Sequence, residues 1–220
     1  MICHQQRQTK NFNFLKIASV VLTVLAAGCS VLPNPGPAPN LYVLSPKNTF
    51  PPELPRLAQQ LVIAEPTANR ALNTDRIALR PTPAQVKYFS AVRWVNLAPK
   101  MVQTLLVESF ENSGKIEAVG REAITLQPDY LLLSELREFQ ADYPPGDTPP
   151  NAVVRINVKL IRQPDARIVA SRTFSVAIPA EKDHMQAVIQ AFDAALGKAL
   201  KRIVVWSLQT IAQTGIRSKP

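Results

Sequence analysis

The sequence contains few of the residues from which catalytic and metal sites are built. It has two cysteines, Cys3 and Cys29, two histidines, His4 and His184, and seven glycines. A typical zinc site takes three or four protein ligands, and an activated cysteine needs a neighbouring base. The chain also lacks the G-x-S-x-G, G-x-x-x-x-G-K and H-E-x-x-H motifs. These absences favour a protein that is not an enzyme and holds no cofactor or metal.

The chain also lacks any block of like charges. Its net charge is +9, but the cations are scattered, as at Arg56, Arg70, Arg76, Arg80, Lys87, Arg93 and Lys100. A compact basic stripe would indicate nucleic-acid binding, whereas scattered cations are typical of a solvated surface. Glu135 and Glu138 are three residues apart in a predicted strand, so they face opposite sides and form no catalytic pair. We therefore expect no nucleic-acid partner.

The N-terminus has the three parts of a secretory signal peptide. Residues 1–16 carry three cations and no acid, residues 17–28 are almost all small or apolar, and Cys29 follows Gly28. Twelve such residues are too few to span a bilayer, which takes about 20. Cleavage after residue 28 would remove Cys3, His4 and the three cations, leaving a net charge of +6 and one cysteine.

The end of this segment resembles the bacterial lipobox, although Leu25 stands one place further from Cys29 than the leucine of that pattern. The resemblance implies that Cys29 is acylated on sulfur and on its new amine. More than one chain on a residue gives stable anchoring. Ser30 resembles the signal that sends such proteins to the outer membrane.

Prolines dominate the residues after Cys29. Pro33, Pro35, Pro37 and Pro39 alternate with other residues, which favours an extended spacer of about 3.1 Å per residue. The sequence therefore predicts a signal peptide at 1–28, a lipidated cysteine and tether at 29–40, a domain at 41–214 and a tail at 215–220.

The first half of the domain predicts short strands and one helix. Apolar runs favour strands at 41–46 and 56–66 and two more within 75–89. A broad apolar face predicts a helix at 97–112. Pro99 falls in its first turn, where the missing N–H costs nothing, and Gly114 is a plausible C-cap.

The second half predicts a hairpin and a long helix. The pattern over 129–143 indicates a strand with a bulge or two buried faces near residues 131–133. Strict alternation at 152–162 and a return strand at 167–178 predict an antiparallel hairpin. Ile168 is expected on the apolar face, which Arg172 interrupts. Apolar residues spaced three and four positions apart predict a helix over 183–212. Asp183 is its expected N-cap, and His184 is expected to be a solvated residue at its start.

One block of the sequence has an order of motifs typical of a known family: LVIAEPTANRALNTDRIALRPTPAQVKYFSAVRWVNLAPKMVQTLL, residues 61–106. With the lipobox and the rest of residues 41–212, it resembles the ABC-type transport auxiliary lipoproteins, a PqiC-like family. The resemblance implies an α+β fold: a single domain in which a curved, mainly antiparallel sheet is packed by two main helices. It also implies work beside MCE (mammalian cell entry) proteins, which form lipid conduits between the two membranes of the Gram-negative envelope.

Three residues match the family pattern and are the predicted partner-binding residues. Arg93 and Trp94 match its Arg-Trp pair, and Arg80 matches the arginine that ends its strand. A core position is the simpler interpretation of Trp94, because a large apolar side chain stands beside a helix start. Arg80 and Arg93 could each bind an acidic group of a partner or pair within the domain, and the sequence leaves both roles open.

The resulting functional expectation is a non-catalytic, lipid-anchored subunit of an MCE-type ABC lipid transport system, at the outer membrane and facing the periplasm. Its expected partners are the MCE protein with its permease and ATPase, outer-membrane lipid through the acyl chains, and other copies in a homo-oligomer. The alternative is a structural or assembly lipoprotein of another outer-membrane complex.

Cys29 is expected to carry the membrane anchor. The Cys29→Ser variant should not be lipidated, because serine lacks the acylated sulfur, and it should remain unprocessed or become soluble. Fractionation of envelopes after a salt wash, with mass spectrometry of the N-terminus, measures this. A variant that still sediments with outer membrane as fully as the wild type would contradict the lipobox prediction.

Overall fold

A computed structural model describes residues 37–121, 128–146, 148–163 and 165–217. The chain divides into two compact units, Met1–Ala38 and Pro39–Pro220, and the described helices and strands all belong to the second. The predicted lipobox and most of the tether lie outside the described residues. The elements are β1 (Asn40–Tyr42), β2 (Leu57–Ile63), β3 (Thr67–Ala68), β4 (Arg76–Thr82), β5 (Gln85–Trp94), α1 (Ala98–Ser113), β6 (Ile116–Arg121), β7 (Tyr130–Asp142), β8 (Asn151–Arg162), β9 (Arg167–Pro179) and α2 (Met185–Arg217).

Strand β7 is the centre of the sheet. Three strands pair with it in parallel, one after another along one edge: β2 at its start, β3 in its middle and β4 at its end. Strand β8 pairs antiparallel with the other edge over nearly its whole length, and β9 continues the sheet beyond β8. The α+β class is confirmed. The sheet is mixed, with long antiparallel pairs β7–β8 and β8–β9 and short parallel additions.

The bulge in β7 lies later than predicted. Pairing with β8 is regular at residues 131–133, and the register shifts between Leu136 and Glu138, so Arg137 is the extra residue. Up to Leu136 the even-numbered side chains are buried, and beyond the bulge Phe139 and Ala141 take the core positions. A one-residue shift exchanges the two faces of a strand, so the bulge aims Phe139 at the core.

A second bulge explains a wrong prediction in β9. Leu160 pairs with Ala170 and Ile161 pairs with Ile168, so Val169 is an extra residue. Ile168 is therefore shifted out of the apolar face assigned to it, and it is exposed. Prediction also missed two short strands, β3 and β6, and extended β1 too far, since β1 ends at Tyr42.

Helix α1 begins and ends as the sequence predicts. Pro99 lies in its first turn, and Gly114 ends it in the left-handed region, at φ 58°, where glycine carries no Cβ penalty. The Gly114 N–H donates to the Glu111 carbonyl at 3.0 Å. Gln103, buried on this helix, donates through Nε2 to the Ile63 carbonyl at 2.9 Å and ties α1 to the end of β2.

Helix α2 packs its apolar stripe on the sheet and continues to Arg217, beyond its predicted end at residue 212. Its start differs from the prediction. The exposed His184 caps it, since Nδ1 accepts a hydrogen bond from the Ala187 N–H at 3.2 Å. Asp183 instead accepts a hydrogen bond from the Tyr143 hydroxyl at 2.9 Å. No helix in the described ranges is long and apolar enough to cross a membrane.

The Tyr143–Asp183 contact makes the free energy of unfolding depend on pH in the alkaline range. Burial, together with the Asp183 hydrogen bond, raises the pKa of Tyr143 from 10.0 to about 12. The neutral phenol is thus favoured in the folded state, so its contribution is complete below pH 10 and is lost as pH rises through about 12. We expect the wild type to lose free energy of unfolding relative to Tyr143→Phe across this range, in urea denaturation at stepped pH. All other titrating groups are common to both proteins. A difference in free energy of unfolding that stays constant between pH 10 and pH 12 would therefore contradict the prediction.

Candidate functional site

Trp94 lies in the core. Its side chain is 1% exposed, and its ring lies 5.4 Å from that of Phe139 and 5.3 Å, edge to face, from that of Phe192. Phe139 and Phe192 complete the triangle at 5.3 Å. These separations are typical of favourable aromatic pairs. The three rings join β5, β7 and α2, which is the core position expected for Trp94.

Arg93 points to the opposite side of β5 from Trp94. Its Nη1 lies 2.8 Å from Asp75 Oδ1, and both side chains are 40% exposed. The Trp94 N–H also donates to the Asp75 carbonyl, at 2.7 Å. Beside them the Arg76 guanidinium stacks on the Tyr88 ring, 3.7 Å from its centre. An ion pair this exposed is worth about 0–1 kcal/mol, so Arg93 can exchange Asp75 for another anion at little cost.

Arg80 is held within the domain. It pairs with Asp142 in the β4–β7 register, and its guanidinium binds both oxygens of that carboxylate, with Nε 2.8 Å from Oδ1. Nη1 also lies 3.4 Å from Glu138 Oε1, and Glu138 in turn pairs with Arg155 at 3.5 Å. The hydrogen bond to Asp142 raises the pKa of Arg80. Bidentate pairing of this kind is directional, so Arg80 fixes β4 onto β7.

A small pocket of about 140 Å³ lies beside Arg80. Gln140 lines it, with its side chain only 6% exposed. Its Oε1 accepts a hydrogen bond from the Phe139 N–H at 2.8 Å, whereas Nε2 has no protein partner among the described residues. The pocket is large enough for a few waters, which are the usual partners of such groups.

The edge of the sheet next to Arg93 exposes an apolar surface that sequence reasoning missed. Four residues form this edge patch: Leu41, Val43, Val95 and Leu97, which are 41–67% exposed. Leu41 pairs with Arg93 in register, and the Val95 N–H donates to the Tyr42 carbonyl. Tyr42 and Leu44 point inward instead. The alternation was visible in the sequence, but nothing there showed that none of the described helices and strands packs against its outer side.

The predicted site residues therefore separate. Arg93 lies beside the edge patch, Trp94 is beneath it in the core, and Arg80 belongs to the β4–β7 ion pairs. Within the described ranges no group of three or more His, Cys, Asp and Glu side chains could hold a metal ion.

Known proteins resemble this chain in sequence and in fold. The model of the family described as ABC-type transport auxiliary lipoprotein component matches residues 42–204. The crystal structure of protein XCC0632 from Xanthomonas campestris is 36% identical and covers 80% of this chain and 98% of that one, with a TM-score of 0.76. A second crystal structure, of an uncharacterised protein, shares the fold at 14% identity, covering 76% of this chain and 97% of that chain, with a TM-score of 0.60.

A curated relative gives a weaker match. The uncharacterised protein bll6063 from Bradyrhizobium diazoefficiens is 29% identical over 170 residues, which is 77% of this chain and 45% of that protein. The chain therefore spans less than half the length of this relative.

Trp94→Ala should destabilise the domain, because truncating a core aromatic residue leaves a cavity worth about 3–5 kcal/mol. For a domain of this size the midpoint of thermal unfolding should fall by roughly 6–20 °C. Trp206→Ala is the matched control, since Trp206 is only partly buried on α2, and its midpoint of thermal unfolding should fall less. Calorimetry of both variants measures this. If Trp94→Ala has the same unfolding midpoint as the wild type but no longer binds its partner, Trp94 is an interface residue.

Proposed function

Because the chain belongs to the family of ABC-type transport auxiliary lipoprotein components, we propose that it is the lipoprotein subunit of an MCE-type ABC lipid transport system. In this proposal acyl chains on Cys29 anchor it to the outer membrane, and the domain faces the periplasm. It is non-catalytic and acts by contact with the MCE protein that carries lipid between the membranes.

The observation that carries the proposal is the family match across residues 42–204. That range includes Arg93, the core around Trp94 and three of the four edge-patch residues, and it begins one residue after the fourth, Leu41. The lipobox and the proline-rich spacer support the same function, because they would hold a folded domain at a membrane while leaving its surfaces free.

The edge patch with Arg93 is the surface we assign to the MCE protein. Contiguous exposed apolar residues mark interaction sites, and protein interfaces combine an apolar centre with a polar rim in which arginine is enriched. The edge patch supplies the apolar centre, and the Arg93–Asp75 pair supplies the polar rim. Arg80 and Trp94 then act indirectly, by holding the β4–β5 hairpin that presents the patch.

Several copies would act together in this proposal. An MCE partner is a ring, so it offers the same contact to more than one copy of the domain, and a homo-oligomer of the lipoprotein would match it. The net charge of +6 expected after signal removal favours an acidic contact surface on the partner. Binding should weaken as salt rises above about 0.15 M, where the Debye length falls below about 8 Å.

The test is crosslinking in intact cells, followed by capture of the full-length tagged lipoprotein and mass spectrometry. We expect the wild type to recover the MCE protein and its permease. Val95→Asp places a charge in the edge patch and should reduce recovery at least tenfold, and Arg93→Glu should reduce it and weaken its salt dependence. Val86→Asp is the matched control, since Val86 lies on the strand that carries Arg93, is 49% exposed against 54% for Val95, and is outside the patch.

Abundance and thermal stability of each variant show that loss of capture is not loss of fold. Recovery of an outer-membrane assembly complex, with no MCE protein above background, would overturn the proposal in favour of the structural alternative. Equal loss with Val86→Asp and Val95→Asp would overturn the assignment to the edge patch.

A further inference from the structure

An open groove of about 740 Å³ lies between β9 and α2, at the opposite end of the strand order from the edge patch. Its apolar lining residues are Pro51, Phe174 from β9, and Val205 and Trp206 from α2. Phe174 is only 4% exposed, whereas Val205 and Trp206 are partly exposed. The Phe174 and Trp206 rings meet edge to face, 5.7 Å apart. Volume and apolar lining are those of a small-molecule site, and this groove has no place in the contact surface proposed above.

Three cations surround this apolar lining: Arg172, Lys201 and Arg202. Arg172 lies over the Phe174 ring, 5.5 Å from its centre, and Arg202 Nη1 donates to the Ser175 carbonyl at 3.2 Å. Among the described residues no carboxylate lies within 4.0 Å of any of the three. They differ in this from Arg80, Arg93 and Arg155, which all have acidic partners.

The groove therefore combines positive charge with a partly exposed apolar surface at Val205 and Trp206, beneath which Phe174 is buried. No acidic residue lines it, and its other polar residues are uncharged. Cations gathered in a cleft concentrate anions there, and arginine binds phosphate oxygens through several N–H groups at once. Arg172 also interrupts the apolar alternation of β9. Its position beside Phe174 places its positive charge at the groove.

We propose that the β9–α2 groove binds an anionic phospholipid. The headgroup phosphate lies among Arg172, Lys201 and Arg202, and the start of one acyl chain covers the exposed parts of Val205 and Trp206. The inference rests on the proposed function for its place in lipid transport, whereas the binding itself rests on the groove.

The combination of surfaces favours a lipid over other anions. A free phosphate ion would pair with the cations but leave the exposed parts of Val205 and Trp206 in contact with water. An acidic peptide could pair with the cations but would cover the apolar side chains less well. Each backbone N–H and carbonyl that it buried against them would need a hydrogen-bond partner. A phospholipid has its charge at one end and no donors along its chains.

Trp206 reports on the groove directly, because the chain has two tryptophans and the other, Trp94, is in the core. The full-length lipoprotein in phosphatidylcholine vesicles, which contribute no tryptophan of their own, is titrated with dihexanoylphosphatidylglycerol below its micellar concentration, and tryptophan emission is followed. We expect a saturable blue shift that Trp206→Phe abolishes. Dihexanoylphosphatidylcholine should bind at least tenfold more weakly, since its headgroup has no net charge.

The decisive variant is Arg172→Gln with Lys201→Gln, which should weaken binding at least tenfold, or about 1.4 kcal/mol. The matched control is Arg167→Gln with Lys198→Gln, which removes one arginine from β9 and one lysine from α2 at exposed positions outside the groove. The control should bind within twofold of the wild type. Lys201→Gln alone, with a smaller loss, keeps the test valid if the double variant folds poorly.

Several results would overturn the inference: no saturable shift, equal affinity for the two lipids, equal loss in the control, or saturation by inorganic phosphate alone. Capture of the MCE protein is measured on the same variants. A groove variant that loses lipid but keeps the MCE protein supports the inference separately from the contact surface. A groove variant that loses the MCE protein, in a chain that shows no lipid shift, would assign the groove to a protein partner instead.

Discussion

Strand β7 organises this domain because both of its edges are used for pairing. The strands β2, β3 and β4 follow one another along one edge, and β8 covers the other. The single extra residue at Arg137 then decides which side chains face the core. Without that bulge Phe139 would point away from Trp94 and Phe192, and the aromatic contacts that join β5, β7 and α2 would be lost.

The same bulge arranges the charges on the other face of the sheet. It places Glu138 between Arg80 and Arg155, so cations of the strands on both sides of β7 are paired across it. Near the centre of the sheet the ionic groups therefore bind each other. The two surfaces proposed for other molecules lie away from β7. They are the edge patch, at the ends of β1 and β5, and the β9–α2 groove, and described elements leave both partly exposed. A domain that contacts a protein at one end and lipid at the other is consistent with a subunit that links the two.

Much of the secondary structure could be predicted from local signals. The alternation of β8 predicted a half-buried strand, Pro99 and Gly114 predicted the ends of α1, and the spacing of apolar residues predicted α2. Predictions failed where a partner strand or a distant side chain decides the outcome. The two residues of β3 are a strand only because Thr67 and Ala68 pair with β7. Asp183 is not the cap of α2, because the helix begins at Met185 and His184 accepts the capping hydrogen bond, while Asp183 accepts one from Tyr143, forty residues away.

The candidate sites divide in the same way. The sequence by itself determined most of the strands, both helices, the core position of Trp94 and the scarcity of catalytic residues, because these follow from side-chain chemistry and from periodicities that the chain carries locally. The α+β class followed from the family resemblance. Its family pattern also pointed to Arg80 and Arg93, but it left two roles open for each. Only the tertiary structure showed that Arg80 is bound to Asp142, that Arg93 lies beside an exposed apolar edge, and that Arg172, Lys201 and Arg202 meet around Trp206. Each of these depends on strand register and on helix placement, which long-range packing sets and no local stretch of sequence encodes.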